Sequence, residues 1–189
     1  VARRNLRKAY RFNLAMLALS TLYLGWSFAA KFHAQGIARE ELARQGIEYR
    51  QIVTLASPFN TILWRFVAMT PEGYTVGWYS LLDTDRNIDF TFHSSAPQLL
   101  AGLESHWPVT RLQWFTKGYY RVGQEEQSVV VTDLRMGTED FYVFRFKVGN
   151  VGNPHSKPTP SEYLEATWED GMLRELWQRL TGRIPSKSP

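Results

Sequence analysis

Arg65 is the single cation in ILWRFVAM (residues 62–69), and strand periodicity puts it on the same face as Leu63, Val67 and Met69. A guanidinium on an inward face needs a carboxylate or an aromatic plane, because an unpaired buried charge is costly. Trp78 is expected roughly opposite it across a hairpin, and Asp83 and Asp133 are the candidate acids. Two chemistries follow: an Arg–Asp pair that locks strand register, or an Arg fork that recognises an anionic ligand. Other reactive constellations are missing. His33, His93, His106 and His155 include no pair at the i, i+4 spacing of a helical metal site, and there is no Cys to assist them. They read as unrelated surface or loop histidines, and no metal ligand is assigned. Neither a G-x-S-x-G elbow, a P-loop nor a G-x-G-x-x-G turn occurs. The acid pairs Asp83/Asp85 and Glu139/Asp140 fall at turns, where such residues bond their own backbone. Catalytic residues stay unassigned.

The elements that must position Arg65 are mostly strands. Period-two patterning predicts strands at 51–56, 62–69, 74–82 and 89–93, with Thr70-Pro71-Glu72-Gly73 as a type I turn between the second and third. Helical pieces are expected at 97–104 and 110–115, then a hairpin from 119–122 to 128–134 across GQEEQ. Residues 141–148 alternate, with Tyr142, Phe144, Phe146 and Val148 on one face and Arg145 and Lys147 on the other. The stretch 151–160, with Pro154, Pro158 and Pro160, reads as a loop. A last amphipathic helix follows, capped by Asp170, stopped by Gly182 and striped by Met172, Leu173, Leu176, Trp177 and Leu180. That stripe is expected to dock on the sheet, with membrane or partner contact as the other reading. The fold class is α+β: an N-terminal transmembrane helix, then an antiparallel sheet of six or seven strands with helices on one face.

Residues 12–30 (FNLAMLALSTLYLGWSFAA) carry no charge, and about 1.5 Å per residue lets them cover a bilayer core of about 30 Å. A cleaved signal peptide ending near Ala29 and a buried core helix are the competing readings. The preceding arm holds Arg3, Arg4, Arg7, Lys8 and Arg11 and no acid. Those five are among 22 basic residues against 18 acidic, leaving 17 against 18 and a net charge of −1 for the rest. The basicity belongs to a membrane-flanking arm, so nucleic acid is excluded as a partner and the lipid bilayer expected. The arm is expected in the cytoplasm and the large domain beyond a bacterial inner membrane, in the periplasm. Residues 31–47 continue as a polar helix, with Gly36 a weak point and Gly46 a stop. The resulting division is 1–11 basic arm, 12–30 transmembrane helix, 31–47 connector, 48–150 β-rich domain, and 151–189 Pro-rich loop with the terminal helix.

Four segments occur in order: SPFNTILWRF (57–66), GWYSLLD (77–83), WFTKGYY (114–120) and VTDLRMG (131–137). Together they resemble the C-terminal part of the bacterial membrane-bound metal-dependent hydrolases, also described as LexA-binding inner-membrane proteins. The resemblance implies an extramembrane C-terminal domain whose divalent-metal site lies upstream of this sequence, in a membrane domain of the same protein. No metal ligand carries over. Among the matching positions Asn60, Arg65, Tyr79, Asp83, Asp133 and Arg135 form the candidate ligand-binding set. The alternative is a non-enzymatic membrane-tethered module that binds a ligand or protein; a third reading is a secreted domain released after Ala29.

Overall fold

In the computed structural model, which describes residues 2–58, 60–139, 141–166 and 172–181, helix α1 runs unbroken from Ala2 to Arg44. Arm, apolar run and connector are therefore one rod, roughly 65 Å long at 1.5 Å per residue. It is exposed on every side from Lys8 to Trp26. Beyond that it buries a stripe of Ala30, Ala34, Ile37, Ala38 and Leu42, at helical spacing. Gly36 does not interrupt it. Gly46, at φ 68°, ends it as expected: the Ile47 N–H donates to the Leu42 carbonyl (2.9 Å) and the Gly46 N–H to that of Ala43 (3.1 Å). This is the paired capping pattern that a left-handed residue permits.

The buried stripe packs on a sheet of β1 (Gln51–Ala56), β2 (Leu63–Met69), β3 (Gly73–Ser80) and β4 (Thr91–Ser94), antiparallel in that order. β2 is buried along its whole length, which explains why every position but Arg65 is apolar. Its Trp64 and Phe66 meet α1, whereas Val67 and Met69 enter a second core with Tyr74, Val76, Leu134 and Tyr142. Two contacts orient this sheet along the rod. The Trp26 indole donates to Thr61 Oγ1 (3.2 Å) in the β1–β2 loop. Gln45 Nε2 donates to the Ile88 carbonyl (2.8 Å), about 28 Å further along α1. The β1–β2 loop is thus the part of the sheet held to the apolar run, while Ile88, packed with Tyr79 near the end of β3, meets the other end of α1, so the helix crosses the strands obliquely. The Thr70–Gly73 turn is at the far end.

The expected single sheet of six or seven strands is instead two sheets of four. After β4 the chain makes a 3-10 turn (Pro97–Leu100) and helix α2 (Trp107–Thr116), then starts β5 (Tyr120–Glu125), β6 (Ser128–Asp133), β7 (Arg145–Asn150) and β8 (Lys157–Tyr163). Leu100, Leu103 and Val109 from the connection pack on Val122, Val129, Val131 and Val148 of the second sheet. This apolar layer gives β5 a core of its own, so it does not extend the first sheet. β8 begins inside the stretch expected to be a loop and runs three residues beyond it. Pro158 and Pro160 lack N–H groups, yet they are tolerated because β8 is the outermost strand. The β5–β6 connection is also tighter than GQEEQ suggested: Glu125 pairs with Ser128, leaving Glu126 (φ 52°) and Gln127 as the turn.

The last helix, α3 (Met172–Leu180), is pinned at the end of β3 through Arg179 rather than docked by its whole stripe. Trp177 is exposed. Phe59, Asp140, the expected cap Asp170 and the expected stop Gly182 lie outside the described residues, as do the side chains of Met172 and Leu173.

Candidate functional site

Arg65 leaves β2 on the face away from α1 and is 2% exposed. Its Nη1 donates to the Leu134 carbonyl (2.8 Å) and its Nη2 to the Tyr142 hydroxyl (2.9 Å). Its Nε makes no hydrogen bond among the described residues and faces Glu139 Oε1 at 3.7 Å. Trp78, its register partner on β3, and Tyr142 lie 5.9 and 5.5 Å from the guanidinium carbon. The aromatic plane foreseen at Trp78 is therefore there. Neither foreseen acid pairs with Arg65. Asp133 is held by Arg135 (2.7 and 3.0 Å), and Asp83 by Arg179 (2.8 Å through each oxygen). Asp133 is the last residue of β6 and Asp83 lies three residues beyond β3, and each is gripped there by an arginine other than Arg65.

Arg65 bridges the two sheets, because Leu134 and Tyr142 belong to the β6–β7 connection. That connection is folded back on itself by a Gly137–Tyr142 bridge, with the Thr138 N–H on the Phe141 carbonyl (2.7 Å). Gly137 has φ 133°, and a Cβ there would lie 2.1 Å from the Phe141 oxygen, so only glycine fits. Burial pushes the Tyr142 hydroxyl well above its ordinary range, and the Arg65 charge opposes that only in part. The hydroxyl is a neutral acceptor for Nη2. The Tyr74 hydroxyl lies 3.5 Å from it, and either oxygen can be the donor of that pair.

On its open side the same connection borders a cleft of about 240 Å³, with Glu139, Phe141 and Tyr142 along one wall. The floor is the face of the second sheet opposite α2. There Arg121, Thr132 and Arg145 form one row across β5, β6 and β7. Arg145 is paired with Glu125 (2.6 Å), while Arg121 makes no ion pair among the described residues. Two cations flanking a threonine, with a carboxylate at each margin, suit a small polar or anionic group. No nucleophile–base pair is present in the row.

The other expected site residues lie elsewhere. Asn60 builds the β1–β2 loop, accepting from the Ile62 and Leu63 N–H groups (3.0 and 2.8 Å) and donating to the Pro58 carbonyl (3.1 Å). Tyr79 is buried against α1, on the opposite face from Arg65. Its hydroxyl is pushed up by burial and by Asp83. Asp133 and Arg135 flank the Leu134 carbonyl that Arg65 uses, and hydrogen bonding to Asp133 raises the Arg135 pKa further. Arg121, Glu125, Glu139, Tyr142 and Arg145 were not anticipated as site residues. For Arg121 and Glu125 the available signal is the β5–β6 register, which a two-residue turn at Glu126–Gln127 gives, whereas Glu139 and Tyr142 lie in a folded-back connection without a local pattern. The histidines are dispersed: His93 stacks on Tyr74 (5.0 Å), and His106 Nε2 is 2.9 Å from the Thr159 carbonyl. Among the described residues no three His, Asp or Glu side chains gather around a metal-sized space.

A second feature is a stripe on α2. Trp107, Arg111 and Trp114 follow one helix face, with the Arg111 guanidinium 4.2 Å from the Trp114 ring. Gln51 Nε2 reaches the Lys117 carbonyl (3.3 Å), which places the end of α2 at the far end of the first sheet.

No protein-family model matches this chain, and no curated protein or solved structure matches it significantly.

Proposed function

We propose that this chain is a membrane-tethered binding module. The apolar part of α1 crosses a bilayer, the basic arm remains on the cytoplasmic side, and the two-sheet domain stands on the other face, the periplasm in a bacterial inner membrane. The cleft above Arg121, Thr132 and Arg145 takes a small polar or anionic group. One observation carries the reading: the helix is long and apolar enough to cross a membrane, is bare from Lys8 to Trp26, and passes without a break into the domain core. A signal sequence meets the same length and composition test, so the experiment must separate the two. Membranes from cells expressing the chain with a C-terminal tag are washed with alkaline carbonate. Retention of the uncut chain in the pellet is expected. Release of the uncut chain, or a product beginning at Ala30, overturns the tether. For the cleft, calorimetric titration of the solubilised chain with inorganic phosphate is expected to give saturable heat that Arg121→Glu removes. Dilution heat alone overturns the binding half.

A second reading is favoured by a specific convergence. Three of the four segments that resemble the metal-dependent hydrolases meet at Arg65, and the fourth joins them through Leu134. Trp78 faces it, Leu134 accepts from it, and the Leu134 N–H donates to the Tyr119 carbonyl (3.0 Å). On this reading the module is the extramembrane part of such a hydrolase, with a divalent metal held by residues outside this sequence and the preceding membrane domain as partner. Apolar spans bearing His, Asp and Glu encoded before Val1 would favour it. Their absence would leave the tethered module alone.

A further inference from the structure

Helix α3 combines an exposed apolar side chain with a fixed position in the molecule. The Leu180 carbonyl accepts from Ser80 Oγ (2.8 Å), and Arg179 binds both oxygens of Asp83 and the Trp78 carbonyl (each 2.8 Å). Ser80 and Asp83 flank the end of β3. That end adjoins the β1–β2 loop, since the Leu81 N–H donates to the Ile62 carbonyl (3.0 Å). The same loop is held to Trp26 through Thr61, where the bare part of α1 gives way to its buried stripe. Three links in series thus carry α3 to the level at which α1 leaves the bilayer: α3 to the end of β3, β3 to the β1–β2 loop, and that loop to Trp26.

Trp177 precedes Arg179 by two residues, about 200° around the helix, so it faces away from the domain that Arg179 grips. It is 67% exposed, and Leu82, on the adjoining turn, is 56% exposed. Leu176 and Leu180 are only half-buried, and Arg174 is exposed. A tryptophan flanked by leucine on one side and by an exposed arginine, Arg174, on the other is the pattern of helices that lie in the headgroup region. The far-end stripe on α2 has a similar composition without that placement.

We propose that α3 and the Leu81–Leu82 turn form an interfacial lipid-binding surface, on which the near end of the domain rests against the bilayer. The proposal rests on the reading that α1 spans the membrane. The chain contains no cysteine, so single labelling sites are introduced cleanly. Trp177→Cys, Leu82→Cys, Trp107→Cys and Leu17→Cys are each labelled with an environment-sensitive fluorophore. The full chain is then reconstituted in vesicles of phosphatidylcholine and phosphatidylglycerol. Nitroxide-bearing lipid is expected to quench the label at 17, 82 and 177, whereas aqueous iodide quenches the one at 107. If 17 is quenched by lipid but 82 and 177 only by iodide, the surface is overturned and the tether stands. If 82 and 177 are shielded from both quenchers, a second copy or another protein covers the patch, and the lipid assignment is overturned. If lipid does not reach 17, the tether itself fails and this proposal with it.

Discussion

Arg65 owes its importance to what it joins. A guanidinium that is almost fully buried, with two nitrogens donating and the third facing a carboxylate at 3.7 Å, is a strut between the sheets. Arg65→Ala leaves the Leu134 carbonyl and the Tyr142 hydroxyl without that donor and opens a cavity. A loss of about 3 kcal/mol is expected in urea unfolding. Glu139→Gln, at the longer and partly exposed contact, should cost no more than about 0.5 kcal/mol. Tyr142 adds a pH signature. Folding holds its hydroxyl neutral beyond the ordinary range, while the unfolded chain ionises tyrosine near about pH 10. The unfolded state therefore sheds its proton first, and stability, full below about pH 10, falls as pH rises above it. Tyr142→Phe should flatten that fall in urea midpoints. A residual slope should remain from Tyr79 and Tyr119, whose hydroxyls burial also pushes up. The sequence made Arg65 and its Trp78 neighbour legible, because both follow from hairpin register. It did not reveal the Leu134 carbonyl or Tyr142 as acceptors, since these reach Arg65 through a folded-back connection that has no local periodicity.

At the scale of elements, the glycines of α1 make opposite predictions. Gly36 lies inside the helix, and an added Cβ would meet nothing within 4 Å. Gly36→Ala should therefore stabilise by about 0.5–1 kcal/mol, through helix propensity and a less flexible unfolded chain. Gly46 sits at φ 68° in the cap, so Gly46→Ala should destabilise by about 1 kcal/mol. Thermal melts of the two variants in one detergent would show shifts of opposite sign. β1 was read with its observed bounds, and β2 and β3 nearly so, because alternation and the Pro71–Glu72 turn mark them. β8 was missed because three prolines within a short stretch ordinarily announce a loop, and only the edge position makes them harmless. α3 was found by its stripe. What the stripe faces was not legible, because the anchoring contacts of Arg179 are with Asp83 and Trp78, far away in the sequence.

For the whole molecule, the α+β class and the long apolar helix were readable from composition and periodicity, whereas the division into two sheets was not. A single sheet and two sheets have the same strand pattern, and the difference lies in the Leu100–Val109 layer that fills the space beside β5. With Arg65, Leu134 and Tyr142 shared between the sheets, the domain should unfold as one cooperative unit. Fluorescence and circular-dichroism curves of the same denaturation should coincide, and separated midpoints would mean that the sheets are independent. The polar and apolar surfaces also divide by height above the membrane in the proposed orientation. Trp177 and Leu82 lie at the base, and the Trp107–Arg111–Trp114 stripe is on a helix that ends at the top.

In the proposed orientation, the unbroken passage of α1 from its apolar run into the folded head makes the helix a lever. Spanning helices lean by about 20° on average, by an amount that depends on bilayer thickness. With Ala30 to Leu42 packed on the first sheet, a lean of a spanning α1 would be passed to everything mounted on the rod, and the attitude of the cleft would then follow the thickness of the membrane.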